Sequence, residues 1–227
     1  MQYRGWFGVV IGLAMAFALI DSALASAVTT TPRDTAILRA GVIAATDVPP
    51  TWTAHQQPDP GTRQLNGIAA CKQMRNAVLA ANKTAPRAQS PTFVDTSTAS
   101  ALASQATDVV YVFKSTTAAK AYLATDKATA APECLQQVFQ KMFGTATVTS
   151  ITNQLQGIGD DRVGFEVAVT GMQNGQPVTL TGDNVVVRVG RVFVGFQFYA
   201  EGSQAPSEGP AIVNAVVNRV KTVPQSP

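Results

Sequence analysis

The sequence is poor in the residues from which metal centres and redox sites are built. It has one histidine and two cysteines in 227 residues, too few for a zinc finger, a histidine-rich metal site or an iron–sulfur cluster. Charge is also scarce, at 14% of residues, and the 17 basic residues form no cluster and are nearly balanced by 14 acidic ones. A nucleic-acid partner is therefore not expected, and the sequence offers no cofactor-binding or metal-binding residue.

Long apolar runs are absent beyond the N-terminus, which excludes a protein with several membrane spans. The N-terminus has the pattern of a secretory signal peptide: a basic residue, Arg4, an uncharged stretch over 6–20 and the small residues of Ala23-Leu24-Ala25. We predict cleavage after Ala25; cleavage after Ala27 and retention as an anchor are the alternatives. The chain then divides into a signal peptide (1–25), a flexible lead (26–34) and one secreted or cell-envelope domain (35–223) without a stable membrane span.

The two cysteines allow a single intramolecular pair, Cys71 with Cys134, and thiols oxidise outside the cytosol. Both lie in segments of helical apolar spacing, which predicts helices over about 66–81 and 132–143. We therefore expect a disulfide bond that joins two helices. A redox-active pair is not indicated, because the sequence has no Cys-x-x-Cys motif.

The remaining patterns predict an α+β fold with an antiparallel sheet. Strand formers and alternation occur in four segments, 91–95, 108–114, 148–155 and 163–170. Asn174-Gly175 and Gly190-Arg191 are typical two-residue hairpin turns. Further helices are predicted over 35–45, after a Ser115 cap, and over 207–223. We expect a twisted sheet of five or six strands with three or four packed helices, ending in a β-meander and a helix.

The register of the meander predicts an irregular strand. Around Gly190-Arg191 the apolar residues face one another, but the register set by Asn174-Gly175 places Phe165 opposite Asn184 and Val185 on the other face. If one face of the sheet is buried, an extra residue is needed to bring the valines back to it. The sequence therefore predicts a β-bulge within residues 181–184.

A ligand surface is the other hypothesis that the sheet suggests. One face of the final hairpin mixes apolar and polar side chains, and it is either partly exposed or covered by N-terminal segments or another helix. Trp52 follows two prolines and serves either as a lid on the core or as a ligand platform. The candidate ligand face consists of Trp52, Arg188, Phe193, Gln197 and Tyr199.

The order of several segments also carries a family resemblance. They are Cys71, DVVYVFKSTTAAKAYL, APECL with Cys134, GDDRVGFEV, VVVRVGRVFVGFQF and a closing helix. This order resembles the secreted sensor-type domains of actinobacteria and is similar to the PknH-like extracellular domain of mycobacterial Ser/Thr kinases. The resemblance implies a twisted antiparallel sheet with helices on it and an unidentified extracellular ligand. The Gly-rich loop, H-R-D and D-F-G motifs of a kinase are missing from the chain.

Catalytic signatures are weak. His55, the single histidine, lies in a Gln/Pro loop, and no G-x-S-x-G motif accompanies it. Asp160-Asp161 is the one acidic doublet, interpreted as the entry to a hairpin next to Arg162, with a weak cation site shared with Asp183 as the runner-up. The motif Asn82-Lys83-Thr84 matches a glycosylation sequon, and no residue is assigned a catalytic role.

The leading hypothesis is a secreted, non-enzymatic binding or sensor-like domain of the cell envelope with an unknown extracellular or envelope ligand. The first alternative is a secreted hydrolase that uses an acidic pair. The second is a structural envelope protein without a ligand. A pocket with convergent polar groups would distinguish the first hypothesis from the last.

Overall fold

The computed structural model describes residues 28–56, 61–97, 103–173 and 176–225. These ranges contain five α-helices and eight β-strands. The helices are α1 Pro32–Gly41, α2 Lys72–Thr84, α3 Thr116–Asp126, α4 Ala130–Phe143 and α5 Gly209–Thr222. The strands are β1 Trp52–His55, β2 Arg87–Gln89, β3 Thr92–Asp95, β4 Gln105–Val112, β5 Thr145–Ser150, β6 Asp161–Gln173, β7 Gln176–Val189 and β8 Val192–Glu201.

The strands form one antiparallel sheet in the order β1-β3-β4-β8-β7-β6-β5, with β2 also paired to β4. The predicted α+β class is therefore confirmed, including the meander β6-β7-β8 and the closing helix α5. The sheet has more strands than the five or six expected, because the short segments β1 and β2 pair along one side of it. Gly190 opens the last hairpin with a φ of +55°, a conformation that glycine adopts without strain.

Helices cover both faces of this sheet and divide the core into two clusters. One cluster, on the α1/α5 face, contains Ile37 of α1, alternate residues of β7 and β8, and the predicted apolar stripe of α5. The other, on the α2–α4 face, contains the two cysteines, the aromatic residues Tyr111, Tyr122 and Phe139, and the opposite set of sheet residues. The mixed face of the final hairpin is thus covered by helices α2–α4.

The predicted β-bulge is wrong. β6 and β7 pair without interruption from Asp161↔Arg188 to Gln173↔Gln176, and Phe165 lies opposite Asn184 as the simple register requires. The bulge was inferred on the assumption that one face of the sheet is buried. Because both faces are buried, Leu180 packs on the α2–α4 face and Val185 on the α1/α5 face, and the strand needs no extra residue. Asn174 and Gly175 themselves lie outside the described residues.

Element ends differ from the sequence prediction in three places. Helix α1 starts at Pro32, within the predicted flexible lead, because Thr31 and Asp34 form a capping box. The predicted strand over 148–155 is β5 followed by a 3₁₀ turn from Thr152 to Leu155. Helix α2 starts only at Lys72, after a short 3₁₀ turn. The Ser115 cap of α3 is confirmed, since its hydroxyl accepts a hydrogen bond from the Ala118 N–H at 3.2 Å.

Candidate functional site

An open pocket of about 420 Å³ lies on the α2–α4 face, between the α3–α4 connection and the strands β5 and β6. Its floor is apolar, formed by Val163 and Phe165 of β6 together with Pro132. The residues at its rim are polar or small: Lys127, Ala128, Thr129, Ser150, Thr152 and Arg162. An apolar floor with a few polar groups around it is the usual composition of a small-molecule site.

The charged residues at the rim do not give the pocket a net charge. Lys127 pairs with the carboxylate of Asp161, and both side chains are partly exposed. The guanidinium of Arg162 makes one long contact, 3.5 Å to the carbonyl of Ile158. Arg162 lies opposite Val187 in the sheet, and both Val187 and Ile158 belong to the α1/α5 cluster, so this cation is directed away from the α2–α4 face. On the side of the pocket, Lys127 and Asp161 neutralise each other.

The hydroxyl groups of the rim are partly engaged with the backbone. Thr152 accepts a hydrogen bond from the N–H of Gly164 at 3.0 Å, and Ser150 donates to Thr152 at 3.3 Å. Thr129 precedes helix α4, but its side chain makes no capping hydrogen bond there. The hydroxyl of Thr129 is therefore not committed to the helix end.

A buried polar row continues behind the pocket floor. Ser150, Phe165, Asn184, Gln197 and Thr107 are successive cross-strand partners on β5, β6, β7, β8 and β4. Asn184, Gln197 and Thr107 are no more than 2% exposed. Phe165 thus separates an open pocket from a polar row inside the α2–α4 face.

Several amide atoms in this region have no hydrogen-bond partner among the described residues. They are Nδ2 of Asn184, both Nε2 and Oε1 of Gln197, and Oε1 of the neighbouring Gln105. The remaining amide atom of Asn184, Oδ1, accepts a hydrogen bond from the hydroxyl of Tyr199 at 3.0 Å. Because buried amide groups are nearly always hydrogen-bonded in folded proteins, this row calls for an explanation.

The candidate ligand-face residues do not form one exposed surface. Trp52 is buried with the α1/α5 cluster, whereas Phe193 and Tyr199 are buried on the opposite face. Arg188 is 5% exposed, and its guanidinium pairs with Asp160 at 3.2 Å and with the carbonyl of Gly190 at 2.9 Å. Of the five, Gln197 alone belongs to the buried polar row.

The acidic doublet forms two separate ion pairs. Asp160 accepts hydrogen bonds from Arg188 and from the N–H of Gly190 at 2.6 Å, whereas Asp161 pairs with Lys127. Asp183 does not join them, because it lies opposite Glu166 in the sheet. This geometry fits the interpretation as hairpin-entry residues and does not favour a shared cation site or an acid pair for hydrolysis. In the described ranges no group of three or more His, Cys, Asp or Glu side chains is arranged to hold a metal ion.

The rim residues of the pocket were missed by sequence reasoning. Lys127, Thr129, Ser150 and Arg162 belong to three separate segments that approach only in the folded chain. The sequence pattern indicates Arg162 only as the neighbour of the hairpin-entry doublet Asp160-Asp161. No local spacing could have marked the others, since the pocket is created by the packing of the α3–α4 connection on β6.

Two buried carboxyl groups have strongly raised pKa values. Burial raises the pKa of Asp126, at the end of α3, to about 8. Burial also raises the pKa of Asp108 to about 7, although the N–H of Ile43 donates a hydrogen bond to this carboxyl at 2.9 Å. Both groups are therefore held partly or fully protonated at neutral pH.

The Asp126→Asn substitution should remove a pH dependence of stability. The folded-state pKa of Asp126 is about 8 against 3.8 in the unfolded chain, so its contribution is complete below pH 4 and is lost as the pH rises through 8. Wild type should lose about 2 to 3 kcal/mol from this group between roughly pH 6 and pH 9, and the variant should not. Urea unfolding at both pH values measures the difference. The Glu133→Gln variant, which makes the same chemical change at an exposed side chain, should keep the wild-type slope. A variant that loses stability as steeply as wild type would contradict the assignment.

Comparison with known proteins gives loose structural likeness alone. No protein-family model matches the chain, and a search of curated proteins finds no match. Among solved structures, the extracellular domain of PknH from Mycobacterium tuberculosis matches with a TM-score of 0.44 and 10% sequence identity, over 68% of this chain and 75% of that one. The resemblance expected from the sequence is therefore a loose structural one. A likeness at this level establishes neither membership of a family nor a shared function.

Proposed function

We propose that this protein is a secreted, non-enzymatic binding or sensor-like protein of the cell envelope, and that its ligand occupies the pocket between the α3–α4 connection and β6. The pocket itself carries the proposal: its size, about 420 Å³, lies in the range of small-molecule sites. Its apolar floor and polar rim suit a small molecule with an apolar body and polar groups. The ion pairs of Asp160 and Asp161 support binding rather than acid-pair hydrolysis.

An extracytoplasmic location is part of the proposal. A buried disulfide bond between Cys71 and Cys134 supports it, because such bonds persist mainly in oxidising compartments. The signal-peptide pattern supports it as well, although residues 1–25 lie outside the described part of the chain. Among the described residues, no helix is both long and apolar enough to cross a membrane. N-terminal sequencing of the exported protein should start at Ser26, and retention of Met1 would contradict cleavage.

A blocked pocket tests the binding function. In the Thr129→Trp variant an indole group replaces an exposed side chain at the pocket rim. The matched control is Thr147→Trp, an exposed threonine on β5 that does not line the pocket. Thermal-shift screening of envelope lipids, glycans and small organic anions should yield compounds that stabilise wild type and Thr147→Trp but not Thr129→Trp. The proposal fails if no compound stabilises wild type, or if every stabilising compound acts equally on all three proteins.

A further inference from the structure

The buried carboxamides of Asn184 and Gln197 lie one strand and two strands inward from Phe165, which forms the pocket floor. At 1% and 2% exposed, both residues are inaccessible to bulk solvent in this conformation. Leaving a buried polar atom without a hydrogen bond destabilises the folded state. Three such atoms on two adjacent residues are therefore a costly feature for the folded protein to keep.

Apolar side chains could fill this part of the core. The row on one side of it, which includes Val109, Val186 and Val163, is apolar and belongs to the same cluster. Methionine or leucine at 197 or 184 would match the shape of the amide side chains without unpaired polar atoms. Polar groups that are unfavourable for stability and point into a site are typical of residues kept for binding.

We propose that Asn184 and Gln197 form an inner subsite of the pocket, which binds a carboxamide group of the ligand when the Phe165 side chain moves aside. This inference rests on the proposed function, because the open pocket supplies the entry. A carboxamide fits the unpaired atoms: its carbonyl oxygen accepts from Nδ2 of Asn184 and Nε2 of Gln197, and its N–H donates to Oε1 of Gln197.

The surroundings of the row favour a neutral group over a charged one. Thr107, Gln105 and Tyr199 are polar neighbours on the same face, and all three are uncharged. The guanidinium of Arg188, one row further along β7 beyond Val186, is already paired with Asp160. A carboxylate or an ammonium group in the subsite would therefore be buried without an opposite charge, which is far more costly than burying an amide.

Acetamide and acetate provide a matched pair of probes, because they have nearly the same shape and differ in charge. We expect acetamide, added to ¹⁵N-labelled protein, to shift the side-chain NH₂ resonances of Asn184 and Gln197, and acetate to leave them unchanged. N-acetylglucosamine and N-acetylalanine amide carry the same group on a sugar and on a peptide-like frame. Tighter binding of N-acetylglucosamine than of acetamide would indicate a glycan ligand. Tighter binding of N-acetylalanine amide would indicate a peptide ligand.

The Gln197→Met variant separates a binding role from a structural one. Methionine keeps the shape and removes both unpaired atoms, so the ligand-free variant should unfold at the same temperature as wild type or higher. Its affinity for acetamide should fall about tenfold, the effect of losing two hydrogen bonds to the ligand. Gln140→Met, the same change at an exposed residue of α4, should leave both properties unchanged.

The outcomes distinguish the subsite from the pocket. A marked loss of thermal stability in Gln197→Met would show that Gln197 is hydrogen-bonded within the fold and would overturn the subsite. Acetamide binding that is lost in Thr129→Trp but unchanged in Gln197→Met would also overturn the subsite while leaving the pocket as the ligand site. Equal responses to acetate and acetamide, or no response of the two NH₂ groups to any amide probe, would contradict the carboxamide assignment. The role of the pocket as a ligand site would then be tested by the thermal-shift screen with Thr129→Trp alone.

Discussion

Replacing both cysteines with alanine should lower the free energy of unfolding by about 4 kcal/mol. The disulfide bond closes a loop between positions 71 and 134, 63 residues apart, with the two Cα atoms at 4.7 Å. Without it the unfolded chain regains the entropy that loop closure removes, and a loop of this length has a large effect in the chain-entropy model. This is the largest single effect that we expect in the protein.

Chemical denaturation of the double variant measures this effect. Wild-type protein unfolded in the presence of a reductant is the matched control, since it lacks the same cross-link but keeps both side chains. The free energies of unfolding of the double variant and of the reduced wild type should agree within about 1 kcal/mol, because the alanine side chains remove only a small amount of buried apolar surface. A double variant as stable as the oxidised wild type would contradict a structural role for the bond. The expected loss of about 4 kcal/mol is a large part of the usual 5 to 15 kcal/mol stability of a domain.

The second large effect is expected for Gly182→Ala, which should destabilise the fold by about 3 kcal/mol or more. The ring of Tyr199 lies across Gly182, so a Cβ at this position would lie 2.0 Å from Cδ1 of Tyr199 and 2.3 Å from the carbonyl oxygen of Phe198. The ring could turn away only by giving up its hydrogen bond to Asn184. The carbonyl belongs to the backbone of β8 and cannot move without disturbing the sheet.

Gly195→Ala is the matched control for this prediction. Gly195 lies in the middle of the adjacent strand β8, but a Cβ there would meet its nearest atoms, in Phe193 and Val109, at ordinary distances of 3.4 and 3.5 Å. This variant should change the unfolding free energy by no more than about 1 kcal/mol. Thermal unfolding of the two variants side by side gives the comparison. Similar melting temperatures for both would show that the contact with Tyr199 does not restrict position 182.

The sequence pattern was sufficient to predict those elements that depend on a few neighbouring residues. The stripe from Ile212 to Val220 predicted helix α5, and Ser115 predicted the start of α3. The pairing of Cys71 with Cys134 followed because two cysteines permit one bond. Turn residues at 190 and 191 set the pairing of β7 with β8, since a two-residue turn leaves one register.

The β-bulge failed because burial is a property of the assembled layers. Val178 and Leu180 pack on one face of β7, whereas Val185 and Val187 pack on the other. The sequence shows that the apolar positions change face along the strand, but it does not show which elements cover each face. Only the packing of α1 and α5 on one side and α2–α4 on the other made both faces interior. A strand that is buried on both faces needs no alternation, so its pattern cannot reveal its register.

The sequence by itself determined the α+β class, the closing helix, the disulfide pair and the poverty in metal-binding and catalytic residues. The candidate site was decided by tertiary structure. Its rim comes from the α3–α4 connection, the end of β5 and the start of β6, and its inner row combines single residues from β4, β7 and β8. Gln197 was named from the sequence as one polar residue on a mixed face, but its unpaired state depends on which strands lie beside it. Cross-strand neighbours are set by pairing over long sequence separations, and no local spacing encodes them.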